Sequence, residues 1–312
     1  MNKIEVPSPW KSAAEHEQKT PPVIISYFFD IVYLLKGPVL LANVIPVFTG
    51  FWLALHFANT SFMEHLAIFF LLLSGSTLVM AGALVINNWY DADIDKIMAR
   101  TLKRPTVTGN ISLKTTLYIG ITLTVLGFFL LLITSIESTI YAFIGWFTYV
   151  VLYTMWSKRR YTLNTVIGSI SGAVTPLIGW AALEPATHMV PIVLFSILFI
   201  WQMPHTFAIA MRKCEEYRAA GVAMLPVVHG FNVTKRQTTI YIASLLPLPF
   251  YLGELGISFI VIATLLNVTW LALSLFGFLT KNNGKWAYMI FLYSVNYITL
   301  LFVLMVLVTL PF

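Results

Sequence analysis

The sequence predicts an all-α, polytopic membrane protein with nine transmembrane helices around a central cavity. Three observations predict this. Hydrophobic residues make up 58% of the 312 and charged residues only 10%, too little polar surface for a water-soluble domain. Uncharged apolar runs of the roughly 20 residues that cross a bilayer recur along the chain. All 19 Lys and Arg fall in alternate connections between those runs.

The first 26 residues are polar and Pro-rich and lack the apolar centre of a cleavable signal peptide. Residues 1–30 are expected to be a flexible cytoplasmic tail and 31–312 the membrane domain. Spans are expected near 38–57, 66–88, 116–134, 138–156, 163–182, 189–210, 238–254, 257–279 and 287–310. Lys3, Lys11, Lys19 and Lys36 precede the first. Lys96, Arg100, Lys103, Arg104 and Lys114 lie between the second and third; Lys158, Arg159 and Arg160 between the fourth and fifth. Arg212, Lys213, Arg218, Lys235 and Arg236 lie between the sixth and seventh, and Lys281 and Lys285 between the last two. The other connections carry none. The positive-inside rule then puts the N-terminus in the cytoplasm and the C-terminus outside, in the cell inner membrane. A missed span would leave basic loops on both sides. The net charge of +6 follows from topology and does not imply nucleic acid binding. The single cysteine, Cys214, excludes an intrachain disulfide.

The densest charge cluster, "NNWYDADIDKIMARTLKRP", follows the second span. Asn87, Asp91 and Asp95 recur every four residues, so on a helix they share one stripe about 12 Å long; Asp93 points elsewhere. Such a stripe at a membrane edge is costly without partners. Its hard oxygen donors suit Mg²⁺, which takes one or two carboxylates and completes its shell with water and phosphate oxygens. Arg100, Lys103 and Arg104 are placed to hold a diphosphate, and Pro105 to stop the helix. The alternative reading is a charged helix end with local ion pairs.

This stretch resembles the first signature of the intramembrane prenyltransferases. The narrower resemblance is to the protoheme IX farnesyltransferases, or heme O synthases. It is carried also by "YTMWSKRRYTLNTVIGSISGAVTPLIGWAA" (153–182) and "WQMPHTFAIAMRKCEEYRAAGVAMLPVV" (201–228), and more loosely by "LLKGPVLLANVIPVFTGFWLAL" (34–55). The resemblance implies an enzyme that binds farnesyl diphosphate through Mg²⁺ at Asn87, Asp91 and Asp95. The farnesyl group passes to the 2-vinyl group of heme B, and water adds to give heme O. Heme B is then a substrate, the lipid bilayer the setting, and a heme A synthase an expected associate.

The resemblance extends to further residues. Of the family's Lys-Pro-Arg-like sequence at the first span, only Lys36 has a counterpart. Lys158, Arg159 and Arg160 either anchor the topology or contact diphosphate or heme propionates. Asn164, Gly168 and Gly172 repeat every four residues, the glycines for close helix packing and Asn164 to line the pocket. Thr175 and Pro176 are expected to break the helix mid-membrane, as in a cavity wall. His205, beside Pro204, is read as a heme axial ligand, a proton shuttle or a structural histidine. The second Asp-rich motif of the superfamily is weakened here to Glu215 and Glu216, with Arg212 one turn before Glu216. Competing readings are a prenyltransferase of another aromatic or tetrapyrrole acceptor, a cation transporter, and a heme chaperone. The acids outside the cytoplasmic tail and loops, Glu64, Glu137, Glu184 and Glu254, all lie at the opposite edge, which disfavours an ion path.

Overall fold

The computed structural model describes residues 23–310, and their side chains from residue 28. Most of the expected tail therefore lies outside the described residues, but its last part does not. A helix, α1 (Val23–Leu35), occupies residues 23–30 and is tied to the membrane domain by Asn88 Nδ2, which donates to Leu34 O at 2.7 Å. Lys36 then turns the chain in a left-handed conformation (φ 50°), and Pro38 stands in the first turn of α2 (Gly37–Phe57), where its missing N–H costs nothing.

A 3₁₀ turn, Phe62–His65, leads into α3 (Leu66–Tyr90). Ser112 caps α4 (Leu113–Thr134), its Oγ accepting from Thr115 N at 3.1 Å. Ser135 similarly caps α5 (Ile136–Phe147), which continues as a π-helix from Thr148 to Ser157. The five-residue bond pattern persists to Lys158 N, which donates to Tyr153 O at 2.9 Å. Then come α6 (Asn164–Ala173), α7 (Thr175–Trp180) and α8 (Met189–Arg212), the last unbroken through Pro204. Finally α9 (Leu225–Ser244), bent at Gly230, and a 3₁₀ segment Leu248–Leu255 precede α10 (Ile257–Phe276) and α11 (Asn283–Val308).

Seven helices among the described residues are long and apolar enough to cross a membrane: α2, α3 with its 3₁₀ turn, α4, α5 with its π extension, α8, α10 and α11. The fifth and seventh expected spans are each divided. The fifth breaks at Val174, just before the expected Thr175–Pro176, because Pro176 has no N–H to continue the ladder. The seventh divides between α9 and the 3₁₀ segment. Exposed Phe129, Leu132, Ile140 and Leu265 give the outer surface the apolar character that lipid requires.

The two larger buried clusters fill most of the interior. One, with Leu194, Ile197, Phe259, Trp270, Trp286 and Tyr297, joins α8, α10 and α11. The other, with Val47, Phe51, Leu72, Val79, Leu131 and Ala142, joins α2 to α5. The short α7 wedges between them, giving Trp180 to the first and Ile178 to the second. It reaches that place because two backbones touch. A Cβ at Gly50 would stand 2.1 Å from Pro176 O, and one at Gly179 only 2.0 Å from Val47 O.

Candidate active site

At the end of α3 the four-residue ladder outlasts the helix. Asp91 leaves helical geometry slightly (φ −89°, ψ 6°), and a one-turn helix, Ala92–Asp95, follows. Yet Asp91 N donates to Asn87 O and Asp95 N to Asp91 O, both at 2.9 Å, so the three side chains stay on one side. Asn87, Asp91 and Asp95 are all buried. Asp93, off the stripe, is exposed and pairs with Arg159 through two 2.7 Å bonds, which hold its carboxyl below the usual range. Pro105 does not stop this helix. It opens the next one-turn helix, Pro105–Thr108, at a position where proline fits.

Each of the two buried acids of the stripe has a cation from further along the chain. Lys158 Nζ pairs with Asp91 Oδ2, and Arg104 Nη1 with Asp95 Oδ2. Asn87 Nδ2 donates to Asp91 Oδ2 at 2.7 Å and to Thr154 Oγ1 at 3.0 Å, while its Oδ1 accepts from Lys36 Nζ. Lys36 keeps some surface open, but protein surrounds it. That burial, with the Arg104 and Lys158 charges, holds its ammonium well below the ordinary lysine range. Its left-handed backbone is a local strain of the kind found at functional positions.

Below this ionic cluster lies a cavity of about 330 Å³. Lys36, Asn87, Asp95, Arg100, Arg104 and Lys158 line its charged end, and Ser76, Val79 and Ala142 its inner end. Tyr149, Tyr153 and Trp146 form an aromatic wall, and Gln202 and Thr206 stand on the α8 side. Tyr217, from the loop between α8 and α9, closes the mouth, with the Arg100 guanidinium 5.9 Å from its ring. The two long loops, between α3 and α4 and between α8 and α9, meet there through Ile94, Met98, Tyr217, Ala220, Val222 and Met224.

The expected site residues therefore separate. Lys36, Asn87, Asp91, Asp95, Arg100, Arg104 and Lys158 converge. Arg159 stands at the edge, its Nη2 3.6 Å from Asp91 Oδ1. Lys103 and Arg160 are exposed and do not line the cavity. Asn164 is fully buried but does not line it either: its Nδ2 donates to Lys158 O (3.2 Å) and Ala223 O (3.0 Å), so it braces the loops. His205 is turned to the seam between α8 and α11, 2.8 Å from Ser294 Oγ and stacked on Trp201. Arg212 lies over the rings of Tyr288 and Phe291 on that same seam. Glu216 pairs with Lys213 at 2.7 Å rather than with Arg212. A helix turn explains the His205 result: Gln202 and Thr206 face the cavity, so Trp201 and His205 face away. Trp146, Tyr149, Tyr153, Tyr217, Gln202 and Thr206 are among the wall residues that the sequence reading omitted. Tyr149 and Tyr153 depend on the π-helix, for which no residue pattern stood out.

The donor set suits a hard divalent cation. Asp91 Oδ1 is buried without a hydrogen-bond partner, 3.6 Å from Arg159 Nη2; Asp91 itself stands behind Asn87 and Asp95 and does not line the cavity. Among the described residues no three His, Cys, Asp or Glu side chains converge. A cation here would draw on two carboxylates, an amide oxygen and substrate oxygens, the habit of magnesium.

The sequence profile of the UbiA prenyltransferase family matches residues 43–309. The chain is 52% identical to a protoheme IX farnesyltransferase from Oceanobacillus iheyensis, covering 100% of this chain and 99% of that one. It is 55% identical to a protoheme IX farnesyltransferase from Geobacillus sp. WCH70 (92% and 93% covered), and 54% to protoheme IX farnesyltransferase 2 from Bacillus subtilis (90% and 92%). Among solved structures, one of a digeranylgeranylglyceryl phosphate synthase superposes with a TM-score of 0.73 at 19% identity, covering 90% of this chain and 98% of that one. A UbiA homolog from Archaeoglobus fulgidus bound to DMAPP and Mg²⁺ superposes with a TM-score of 0.63 at 16% identity, covering 86% and 99%.

Proposed function

The chain belongs to the UbiA prenyltransferase family, and from that premise we propose that it transfers the farnesyl group of farnesyl diphosphate to the 2-vinyl group of heme B, with addition of water, to give heme O. The observation that carries this reading is the buried acid stripe, neutralised by Lys158 and Arg104, at the mouth of an apolar and aromatic cavity. The relatives' names supply the acceptor.

Asp91 and Asp95, with Asn87 Oδ1, would hold the magnesium ion, which supplies positive charge against the diphosphate oxygens. The chain's own cations do the rest of the electrostatic work. Lys36, Arg100, Arg104 and Lys158 face the diphosphate and stabilise the charge it gains on leaving. When diphosphate binds, Lys158 and Arg104 exchange carboxylate partners for phosphate ones. Tyr149, Tyr153 and Trp146 shield the allylic carbon from bulk water and offer it their electron-rich faces. The vinyl carbon of heme B then bonds to that allylic carbon.

The protein sits in the cell inner membrane as a multi-pass enzyme, with its basic loops and N-terminus in the cytoplasm and its C-terminus outside. A heme A synthase, which would take the product onward, is the proposed associate. Purified protein incubated with heme B, farnesyl diphosphate and Mg²⁺ is expected to yield a heme heavier by one farnesyl group and one water-derived hydroxyl. No heavier heme, or prenylation only of another acceptor, overturns the reading.

A further inference from the structure

The cavity has one polar flank, and its polar groups are not equivalent. Ser169, Ser171 and Thr175 line it, but each hydroxyl donates to a carbonyl of the preceding turn: Thr165 O (2.7 Å), Gly168 O (2.6 Å) and Gly172 O (2.7 Å). Gln202 is arranged differently. Its Nε2 donates to Ser169 O on α6 and to Leu198 O on α8, both at 3.1 Å. Both partners can only accept, so the amide has one chemically allowed orientation, with Oε1 turned away from them. No hydrogen bond to that oxygen occurs among the described residues. Thr206 lies one turn further along α8 on the cavity side, and its hydroxyl also makes no hydrogen bond among the described residues.

Two features make this a prepared position. A Cβ at Gly172 would stand 2.6 Å from Gln202 Oε1 and 2.8 Å from its Nε2, so the amide keeps its pose only beside a glycine. The depth also fits: Ser169 is five residues into α6 from Asn164, about 7.5 Å inward along the helix axis. The amide thus lies between the ionic cluster and the apolar end, where the bond-forming carbons of a bound prenyl diphosphate belong. A buried water needs at least two polar partners, and Gln202 Oε1 and Thr206 Oγ1 are two acceptors one turn apart.

We propose that Gln202 and Thr206 hold the water that is added during the reaction, Gln202 acting as its positioning residue. This rests on the farnesyl-transfer reading. As the terminal vinyl carbon bonds to farnesyl C1 and the C1–O bond to diphosphate breaks, positive charge appears on the inner vinyl carbon. The held water directs its two O–H bonds at Gln202 and Thr206, which leaves a lone pair for that carbon. The C–O bond forms, and the proton released passes to the departing diphosphate. Heme B, farnesyl diphosphate and water are thereby consumed, and the hydroxylated product and protonated diphosphate formed. If no water is held, the same cation loses a proton from the adjoining carbon and gives an alkenyl heme lighter by one water.

The test is the product ratio, measured by mass spectrometry with full-length protein, heme B, farnesyl diphosphate, Mg²⁺ and oxygen-18 water. Wild type should give labelled hydroxylated heme. Gln202→Leu should lower the ratio of hydroxylated to alkenyl product about tenfold, the worth of one hydrogen bond, while diphosphate release continues. Gly172→Ala, which displaces the amide without removing it, and Thr206→Val should move the ratio the same way. Should Gln202→Leu fail to fold, these two variants decide. An unchanged ratio in folded Gly172→Ala and Thr206→Val overturns the proposal, as does a loss of both products in parallel. A wild type that makes no prenylated heme overturns the farnesyl-transfer reading instead.

Discussion

Lys158 and Asp91 are joined across 67 residues of chain, and the side chain of Asp91 is almost wholly removed from solvent. Removing Lys158 leaves the buried Asp91 charge with only the more exposed Arg159, 3.6 Å away, as its cation. Lys158→Met should therefore destabilise the metal-free protein by about 3–5 kcal/mol, read as a lowered unfolding midpoint in detergent, and Asp91→Asn added to it should restore part of that loss. In activity, Asp91→Asn or Asp95→Asn should lower heme prenylation by at least about a hundredfold, since each removes a carboxylate of the proposed magnesium site and with it the positive charge that would face the diphosphate. Asp93→Asn should stay within about threefold, because its carboxylate only meets Arg159 at the surface. A kinetic assay of the three variants separates them, and equal loss would refute the stripe. The spacing of four made Asp93 distinguishable from its neighbours in the sequence alone. The cations that answer Asp91 and Asp95 were not individually legible, since choosing Lys158 and Arg104 among eight bases of two loops requires the fold.

The elements were legible where their ends carry chemistry and hidden where geometry departs from residue type. The division between α6 and α7 could be read from Pro176, which lacks the N–H a helix needs. The π-helix of residues 148–157 could not, because its residues are those of any membrane helix, yet it places Tyr153 and Lys158 five apart on one cavity wall. The contact of α2 with α7 is a similar case: the glycines are visible in sequence, their partners are not. Gly179→Ala pushes a methyl against Val47 O. It should cost about 1–3 kcal/mol of stability by overpacking, checked by thermal unfolding in detergent or nanodiscs. It should also reduce activity, because α2 starts just after Lys36 and α7 closes the cavity's inner wall.

At the scale of the molecule, charge placement made the two long basic loops same-sided before any coordinates, and their packing through Met98, Tyr217 and Met224 brings them to one mouth. The cavity beneath was expected without its lining, because enclosure depends on which faces of six helices turn inward. Its lining runs along α3 from Asn87 to Ser76, eleven residues or about 16 Å, and Ala142 stands at the inner end. Ala142→Phe should shorten it and change the preference from farnesyl to geranyl diphosphate by about tenfold or more in kcat/KM, read from the product masses of a competition assay. That loop-to-loop mouth also sets an order of events during synthesis. At about 5–20 residues per second, the segment around Tyr217 leaves the ribosome on the order of ten seconds after Met98. Arg104, nine residues from Asp95, can neutralise its acid at once, whereas Asp91 must wait for Lys158 and the lid for Tyr217. A chain interrupted between those moments would be inserted in the membrane with its stripe of acids in place and its cavity still open.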